Sequence, residues 1–461
     1  MNSGGPISPP STKSKVLDPS LFGLEMAKLV EEPAIVLDLA IREGYLSFRA
    51  GNGASRCVAC KGARMLCGKA RCPILARISS FLQVAPKISS ETLAGSTPPG
   101  VFVGRIGYPY VYVGPLTPPF LGDTTLLDLP ELWVDRKIEE IVAFRSMLVR
   151  GKTRAKVSDA GIGGRILDAI TELALASKPV DLELTFDRPP RGSMLLDDEV
   201  QPFGPSAIVK KMKVGEARWD RSVEKVYEDT DLKASEAVLT LYKDGILVSK
   251  IQRAFSIGAL GLKTHRRLVP TRWSITAVDS IISNALMERV RSLPIINEYR
   301  LYEYDHLDNR FEILMIPSSW SYESIEAWYP RTVWNPWGKE IVYFGDYEGY
   351  GGRTTYASMG GCYYAGRLAV TEHLVGEGRQ ASVLILREIH PGYILPVGVW
   401  NVRESVRSAL RHPPLKFNNL EEALRRIADR LEIRLDTWLR ASRMLRIFLH
   451  QKRMRDFLEK I

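Results

Sequence analysis

Long apolar stretches are missing from this chain of 461 residues. A membrane-spanning helix needs about eighteen or more consecutive apolar residues, and no such run occurs. The first residues are rich in serine, proline and glycine and lack the apolar core of a secretory signal, so we expect a flexible tail over 1–18. These absences predict a protein that does not span a membrane and has no membrane partner.

Cysteine and histidine are also scarce, with five and six residues respectively. Four of the five cysteines nevertheless fall within sixteen residues, at Cys57, Cys60, Cys67 and Cys72. Thiolates bind zinc tetrahedrally, and a Cys-x-x-Cys pair places two sulfurs on one tight turn. We therefore predict a four-cysteine zinc knuckle within a helical N-terminal region, 19–85.

Two other interpretations of the cysteine cluster stay open. Cys72 precedes Pro73, as a ligand of an iron–sulfur cluster often does, although iron–sulfur spacings are tighter. Disulfides rank last, because they require an oxidising compartment and a secretory signal is missing. The basic residues between the cysteines give the knuckle a positive rim suited to nucleic acid: Lys61, Lys69 and Arg71.

Neither sign of charge is in large excess, since 63 basic residues stand against 53 acidic ones, for a net charge of +10 and a pI near 9.2. An Arg-rich surface laced with acids would show the same balance without binding anything. Phosphate binding depends on local density, and the densest groups are candidate nucleic-acid ligands. They are Arg150, Lys152 and Arg154, flanked by Arg145 and Lys156, and Lys210 and Lys211; a further group lies between Lys263 and Arg272.

Mixed helical and strand patterns after residue 100 predict an α+β fold with a mixed-sheet core over 100–415. Pro86 to Gly100 has the composition of a linker. Strands are expected over 180–186 and, as a pair, over 299–316, and Lys243-Asp244-Gly245 is typical of a hairpin turn. Leucines at helical spacing predict one amphipathic helix over 416–450, whose second half is basic.

The C-terminal residues contain a short docking pattern. Gln451, Met454, Phe457 and Leu458 are spaced as in the motif by which proteins bind the DNA sliding clamp (PCNA), over 451–458. One helical turn brings the three apolar side chains to one side, where they can fill an apolar pocket. Leu458 stands where the motif often has an aromatic residue. The alternative is that the preceding helix continues and Phe457 packs on its own domain.

Glycines and tyrosines alternate between Tyr343 and Arg367, a composition that lets backbone and aromatic faces approach a ligand. Charged residues within and after this segment could bind a phosphate and move a proton. They are Arg367, Glu372, His373, Arg379, His390, Arg403 and Glu404. The alternative is an ordinary network in which Arg403 and Glu404 are ion-paired and the tyrosines pack.

Three sets of residues resemble the archaeal Nre family of DNA-repair proteins. The first is the knuckle, Cys57-Val-Ala-Cys60-Lys61-Gly62 through Leu66-Cys67-Gly68 to Arg71-Cys72-Pro73. The second comprises Phe102-Val-Gly-Arg-Ile-Gly-Tyr-Pro109, Val113-Gly-Pro115 and Val200-Gln-Pro-Phe-Gly-Pro-Ser206, and the third is the C-terminal docking motif.

The resemblance implies a cytoplasmic, nucleoid-associated protein that acts in DNA-damage tolerance with the sliding clamp. With the cysteine cluster and the basic groups, we expect a DNA-repair factor that is recruited to the clamp and binds zinc and DNA. It implies no particular catalytic activity. An enzyme acting on a nucleotide or modified nucleic acid through the Gly/Tyr segment is the alternative function. A scaffold or RNA-associated zinc protein is a third.

Overall fold

A computed structural model describes residues 84–191, 203–332, 334–336 and 338–450, together with Cys60, Arg64, Leu66, Gly68 and Cys72. The chain divides into two compact units. The N-terminal unit comprises Met1–Val278 and Ile394–Val397, and the C-terminal unit comprises Asp279–Tyr393 and Gly398–Ile461. The predicted core over 100–415 is therefore shared between two units.

The N-terminal unit contains a six-stranded sheet in the order β1-β5-β6-β4-β3-β2. All neighbours are antiparallel except β4 and β6, which are parallel. The strands are β1 (Thr92–Thr97), β2 (Val101–Val103), β3 (Tyr110–Thr117), β4 (Val149–Lys156), β5 (Val180–Phe186) and β6 (Ser206–Val214). The strand predicted over 180–186 is confirmed, whereas the predicted linker contains β1.

One face of this sheet is covered and the other is at the surface. Burial alternates along β5, where Leu182 and Leu184 are buried and Asp181 and Glu183 are exposed. On the buried face, the helix Arg165–Leu175 packs against β6 and the helix Val248–Ser256 packs against β2. Among the described residues, the α-helices of the unit are α1 (Ile138–Met147), α2 (Arg165–Leu175), α3 (Arg221–Glu228), α4 (Ala234–Lys243), α5 (Val248–Ser256) and the first part of α6 (Thr271–Arg291).

The hairpin predicted at Lys243-Asp244-Gly245 is wrong, because this turn joins α4 to α5. Gly245 has a φ of 79°, and its amide donates to the Tyr242 carbonyl at 3.1 Å. The Ile246 amide donates to the Leu241 carbonyl at 3.0 Å, which completes a left-handed helix C-cap. A glycine with positive φ occurs at the end of a helix as well as in a hairpin turn, so the glycine alone does not distinguish the two. The segments on either side each bury one helical face, and they therefore form helices.

The C-terminal unit contains a second six-stranded sheet, in the order β10-β9-β11-β8-β7-β12. Only β9 and β11 are parallel neighbours. The strands are β7 (Tyr299–His306), β8 (Asn309–Ile316), β9 (Ser321–Trp328), β10 (Val342–Glu348), β11 (Ser382–Ile389) and β12 (Leu415–Phe417). The strand pair predicted over 299–316 is confirmed.

Helices cover both faces of this second sheet, so β9 and β11 are buried along their whole length and β8 is buried at every residue except Arg310. Phe311 and Ile313 of β8 pack in one core with α7 and α8. Leu314 and Ile316 point the other way, into a core that includes α9 and α11. The helices are α7 (Gly361–Glu377), α8 (Trp400–Arg411), α9 (Leu420–Arg430), α10 (Leu435–Ala441) and α11 (Arg443–His450).

The segment 416–450, predicted as one helix, forms β12 and three helices instead. Buried carboxylates of the sheet hold the backbone at the two breaks. Glu388 accepts the amides of Glu432 and Ile433 at 3.1 and 2.8 Å. Glu323 accepts the amides of Arg443 and Met444 at 2.8 and 2.9 Å. Each carboxylate satisfies backbone donors that a continuing helix would have used itself, so a new helix starts there.

The predicted α+β class with mixed sheets is confirmed. The N-terminal region 19–85 and the docking segment 451–458 lie almost wholly outside the described residues. Within the described ranges, no helix has both the length and the apolar character needed to span a bilayer.

Candidate nucleic-acid interface

The surface face of the first sheet carries a row of aromatic rings. Tyr110 and Tyr112 of β3 are half-exposed, whereas Val111 and Val113 between them are fully buried. Phe102 of β2 lies on the same surface. This alternation follows directly from the two-residue period of a strand with one covered face.

Basic side chains of β4 lie beside these rings. Tyr112 is in register with Arg154, and Tyr110 is in register with Lys156. The Arg154 guanidinium lies 5.5 Å from the centre of the Tyr110 ring, and the Lys152 ammonium lies 5.9 Å from that of Tyr112. Alternate residues of a strand are roughly 7 Å apart, so β4 presents a regular line of positive charge.

Arg150 begins this line and is held more tightly than the others. Its guanidinium lies 4.0 Å from the centre of the Phe203 ring and 5.0 Å from that of Phe102. Contact with two rings holds the guanidinium in place beside them. The predicted ligands Arg150, Lys152 and Arg154 are therefore brought together on one face.

Positive charge converges on Lys152 in particular. Partial burial lowers the pKa of Lys152 below its ordinary value, and the neighbouring Arg150 and Arg188 lower that pKa further. A cation among cations is destabilised until an anion arrives, because the anion relieves the repulsion. This is the electrostatic condition of an anion site.

Lys210 and Lys211 of β6 extend the positive surface. A register irregularity between β5 and β6 interrupts the alternation at this point, and both lysines are exposed. Lys213, next in line, is paired with Glu183 at 2.9 Å. Lys61, Lys69 and Arg71, the other predicted nucleic-acid ligands, lie outside the described residues.

Two arginines from the basic groups in the sequence serve the interior instead. Arg145 of α1 donates to the buried Asp128 carboxylate at 2.5 Å. Arg266 is buried, and its guanidinium donates to the backbone carbonyls of Gly261 and Tyr227. Their charges are used within the N-terminal unit, which the sequence spacing did not reveal.

Of the predicted metal ligands, Cys60 and Cys72 are described, whereas Cys57 and Cys67 lie outside the described residues. Cys60 is buried, and its sulfur accepts the backbone amide of Leu66 at 3.4 Å. Backbone amides directed at sulfur are common around cysteines that bind zinc or an iron–sulfur cluster. This contact fits a metal-binding cysteine.

The clamp-docking residues Gln451, Met454, Phe457 and Leu458 also lie outside the described residues. The last described helix, α11, buries Met444 and Leu445 and ends at His450, where Leu449 and His450 are exposed. The described chain therefore reaches its last residue at the surface of the C-terminal unit.

The charged residues predicted to form a pocket are mostly engaged with protein partners. Arg367 of α7 is buried and donates to the Glu348 carboxylate at 2.8 Å, to the Asn284 amide oxygen at 2.8 Å and to the Ser283 hydroxyl at 3.1 Å. Glu348 ends β10, and the other two partners lie on α6. Arg367 thus ties three elements of the C-terminal unit together.

Arg403, Glu404 and Glu372 belong to one continuous ion-pair chain. Arg403 of α8 contacts the Asp279 carboxylate at 3.0 and 3.2 Å and Glu404 at 3.0 Å. Arg407 contacts Glu404 at 2.9 Å and Glu372 of α7 at 2.7 Å. The sequence analysis gave an ion pair between Arg403 and Glu404 as the alternative to a pocket, and the structure contains this ion pair.

The remaining predicted pocket residues lie apart from this chain. His373 contacts the Tyr302 hydroxyl at 3.1 Å and Glu377 at 3.3 Å. The His390 ring stacks on Tyr329 with 4.4 Å between ring centres, and Arg379 is exposed. The structure therefore brings Arg403, Glu404 and Glu372 together but not all seven residues.

The sequence analysis predicted the basic residues of this face but did not predict the aromatic rings beside them. The signal was present in Tyr110-Val-Tyr-Val, since strict alternation predicts two rings on the face opposite the valines. Phe203 could not have been assigned to this face, because the sequence gives no sign that it lies against Arg150.

Comparison with known proteins decides the family. The model of the family described as "Archaeal Nre, N-terminal" matches residues 66–335, and that described as "Archaeal Nre, C-terminal" matches residues 348–457. The chain belongs to the archaeal Nre family. The gap between the two Nre models, residues 336–347, includes most of β10, so it lies inside the second sheet and not at the boundary between the two structural units.

Curated relatives cover most of the chain. DNA repair protein NreB of Archaeoglobus fulgidus is 42% identical over 85% of this chain and 97% of its own length. DNA repair protein NreA of the same organism is 39% identical, over 82% and 94%. DNA repair protein NreA of Haloferax volcanii is 35% identical, over 77% and 87%. No solved structure matches the chain.

Proposed function

We propose that this Nre protein acts in DNA repair and binds DNA through the exposed face of its first sheet. The carrying observation is the line of Lys152 and Arg154 beside the rings of Tyr112 and Tyr110. The names of its relatives, DNA repair proteins NreA and NreB, point to the same process. Cations on a surface attract phosphates, and rings between them offer stacking to bases.

An ordinary solvated face would satisfy its charges locally. Arg218 pairs with Glu216 at 3.1 Å, and Lys213 pairs with Glu183, as on most protein surfaces. Within the described ranges, neither Lys152 nor Arg154 forms an ion pair with an acidic side chain. Their positive charge is therefore available to an anionic ligand, which favours DNA binding over a passive role.

Salt-dependent binding of a fluorescent DNA strand tests this proposal. The double variant Lys152→Ala, Arg154→Ala is expected to bind more weakly and to lower the slope of log affinity against log salt by about 2, since each phosphate contact contributes roughly 0.9. Arg218→Ala is the matched control, because it removes an exposed arginine of the same unit. Equal slopes for the double variant and the wild type would rule out this face.

We further propose recruitment to the sliding clamp through 451–458. The spacing of Gln451, Met454, Phe457 and Leu458 supports it, as does the exposed end of α11 directly before them. Phe457→Ala is expected to abolish binding to purified clamp in calorimetry, because it empties the apolar pocket. Lys460→Ala changes a neighbouring residue outside the motif and should bind normally. Undiminished binding by a chain ending at His450 would contradict the proposal.

Zinc binding by Cys57, Cys60, Cys67 and Cys72 stays a proposal, with an iron–sulfur cluster as the alternative. The buried Cys60 sulfur and its Leu66 amide contact support it. A cytoplasmic, nucleoid-associated location would follow from clamp and DNA binding, and it is proposed on the same basis.

The enzymatic alternative rests on the Gly/Tyr segment and stays a weaker proposal. Arg367 and Arg403 use their N–H groups on partners within the C-terminal unit, as structural arginines do. Catalysis would require turnover that Arg367→Ala destroys while the fold survives. The contacts of Arg367 lead us to expect loss of stability instead.

A further inference from the structure

The loop between β2 and β3 carries apolar side chains far into solvent. Every residue from Arg105 to Tyr110 is exposed. Ile106 is 87% exposed and Tyr108 is 55% exposed. Large apolar residues this exposed cost free energy in water, and a contiguous group of them marks an interaction site.

Backbone hydrogen bonds fix the conformation of this loop. The Gly104 amide donates to the Tyr112 carbonyl at 2.7 Å, and the Tyr110 amide donates to the Gly107 carbonyl at 2.9 Å. The Pro109 carbonyl accepts the Val157 amide at 2.9 Å. Gly107 has a φ of 84°, which an L side chain adopts only with strain.

A tryptophan from α6 adds to this surface. Trp273 is 49% exposed, and its ring centre lies 5.6 Å from that of Tyr108. The start of α6 is tied to β2, since the Val103 amide donates to the Thr271 hydroxyl at 2.9 Å. Ile106, Tyr108 and Trp273 form what we call the hairpin tip, which adjoins Tyr110 at the start of β3.

We propose that the hairpin tip binds unpaired bases of DNA and so directs the protein to single-stranded or distorted sites. This inference rests on the proposed function, because it assigns the substrate class of the same surface. Bases in an intact duplex stack on one another and hide their faces. Unpaired bases expose theirs, and an aromatic ring or an apolar wedge can then contact them.

The charges next to the tip favour a nucleic acid over an apolar protein partner. Beyond Arg150 at its start, β4 has three charged residues on the face of the tyrosine rings, Lys152, Arg154 and Lys156, and all three are basic. Phosphates following β4 would place the bases of the same strand against the tip and Tyr110. An apolar protein segment would leave these cations without anionic partners.

Fluorescence anisotropy with three DNAs of equal length tests the substrate class: a single strand, a perfect duplex and a duplex with an unpaired loop. Ile106→Ala and Tyr108→Leu are expected to weaken binding of the first and third by about tenfold or more, which corresponds to the loss of roughly one stacked base. The perfect duplex should change less than about twofold. Tyr108→Phe keeps the ring and should behave like the wild type.

Ile162→Ala is the matched control, because Ile162 is 81% exposed and lies elsewhere in the same unit. A fluorescent base analogue, whose emission falls when it stacks on a ring, supplies a direct readout. Its emission should fall on binding to the wild type and to Tyr108→Phe, but not on binding to Tyr108→Leu. Equal weakening of all three DNAs, or no weakening, overturns the inference. Stronger competition by RNA of the same sequence overturns the assignment to DNA.

The two proposals fail in distinguishable ways. Loss of DNA binding in the Lys152→Ala, Arg154→Ala variant without any effect of the tip variants leaves the sheet face in place and removes the tip. If neither set of variants affects DNA binding, the proposed function itself fails.

Discussion

Replacement of Arg403 by alanine is expected to destabilise the C-terminal unit strongly, although it changes only one side chain. Arg403 is 1% exposed, and its partner Asp279 is completely buried. Removing the arginine takes away a counter-charge and two close contacts of the Asp279 carboxylate in a low-dielectric interior. Loss of one partner of a buried pair costs about 3–5 kcal/mol, so Arg403→Ala should lower the free energy of unfolding by that amount.

Urea denaturation followed by tryptophan fluorescence measures this effect, because Trp320, Trp328 and Trp438 are buried in the C-terminal unit. Each of the two units requires its own transition in the fit, since a single two-state curve need not hold for both. Arg426→Ala is the matched control. Arg426 pairs with Glu303 at 2.7 Å near the surface, and losing such a pair costs at most about 1 kcal/mol.

A double variant separates lost charge compensation from lost volume. Asp279→Leu with Arg403→Met replaces the ion pair by apolar side chains and should recover most of the stability, because such replacements are often neutral or better. If Arg403→Ala costs no more than Arg426→Ala, the ion-pair chain does not support the fold. In that case the interpretation of Arg403, Glu404 and Glu372 as a chemical site becomes the better one.

Three further outcomes are expected. Burial raises the pKa of Glu312 from 4.5 to about 8, so the folded protein holds a proton that the unfolded chain releases. The stability contributed by Glu312 should therefore fall as the pH rises from 4.5 to about 8. Glu312→Gln should make the urea midpoint depend less on pH over that range. An unchanged dependence would contradict the raised pKa of Glu312. Atomic emission should find about one zinc per chain, with Cys60→Ser lowering it and Cys362→Ser not; absence of both zinc and iron would exclude the knuckle. Gly114→Ala should destabilise the protein by about 1–3 kcal/mol in thermal unfolding, because the added methyl would overlap the Gly151 carbonyl oxygen. Gly351→Ala is the control, because its methyl meets no neighbouring atom; equal melting temperatures for the two variants would show that β3 and β4 can separate at no cost.

The fold class and several elements could be predicted from local patterns. The alternation of Val180–Phe186 predicts a strand with one covered face, and it has one. The linker prediction over Pro86 to Gly100 failed because β1 (Thr92–Thr97) consists of small and polar residues apart from Leu93. Gly95 of β1 lies against the Pro118 carbonyl, where a side chain would not fit, so a residue typical of loops is required inside the sheet.

The basic residues of the candidate site were predicted from the sequence, whereas its aromatic residues were not. Lys152 and Arg154 are close in sequence, so the spacing of the chain alone indicates their joint density of charge. Their pairing with Tyr112 and Tyr110 depends on strand register between β3 and β4, which the sequence does not fix. The same limit explains Arg145, whose charge looks available in sequence and is used by Asp128 across the fold.

The sequence alone determined what is local or compositional: the cysteine cluster, the basic line of β4, the Gln451 docking pattern and the alternation that makes strands. Tertiary structure decided which of these charges reach solvent and where long helices break. The stretch from Leu420 to His450 has one helical period, yet Glu388 and Glu323, brought from distant strands, take up its backbone amides and divide it. Helical periodicity reports an apolar face, whereas a helix end depends on which group satisfies the backbone, and only the folded chain supplies that group.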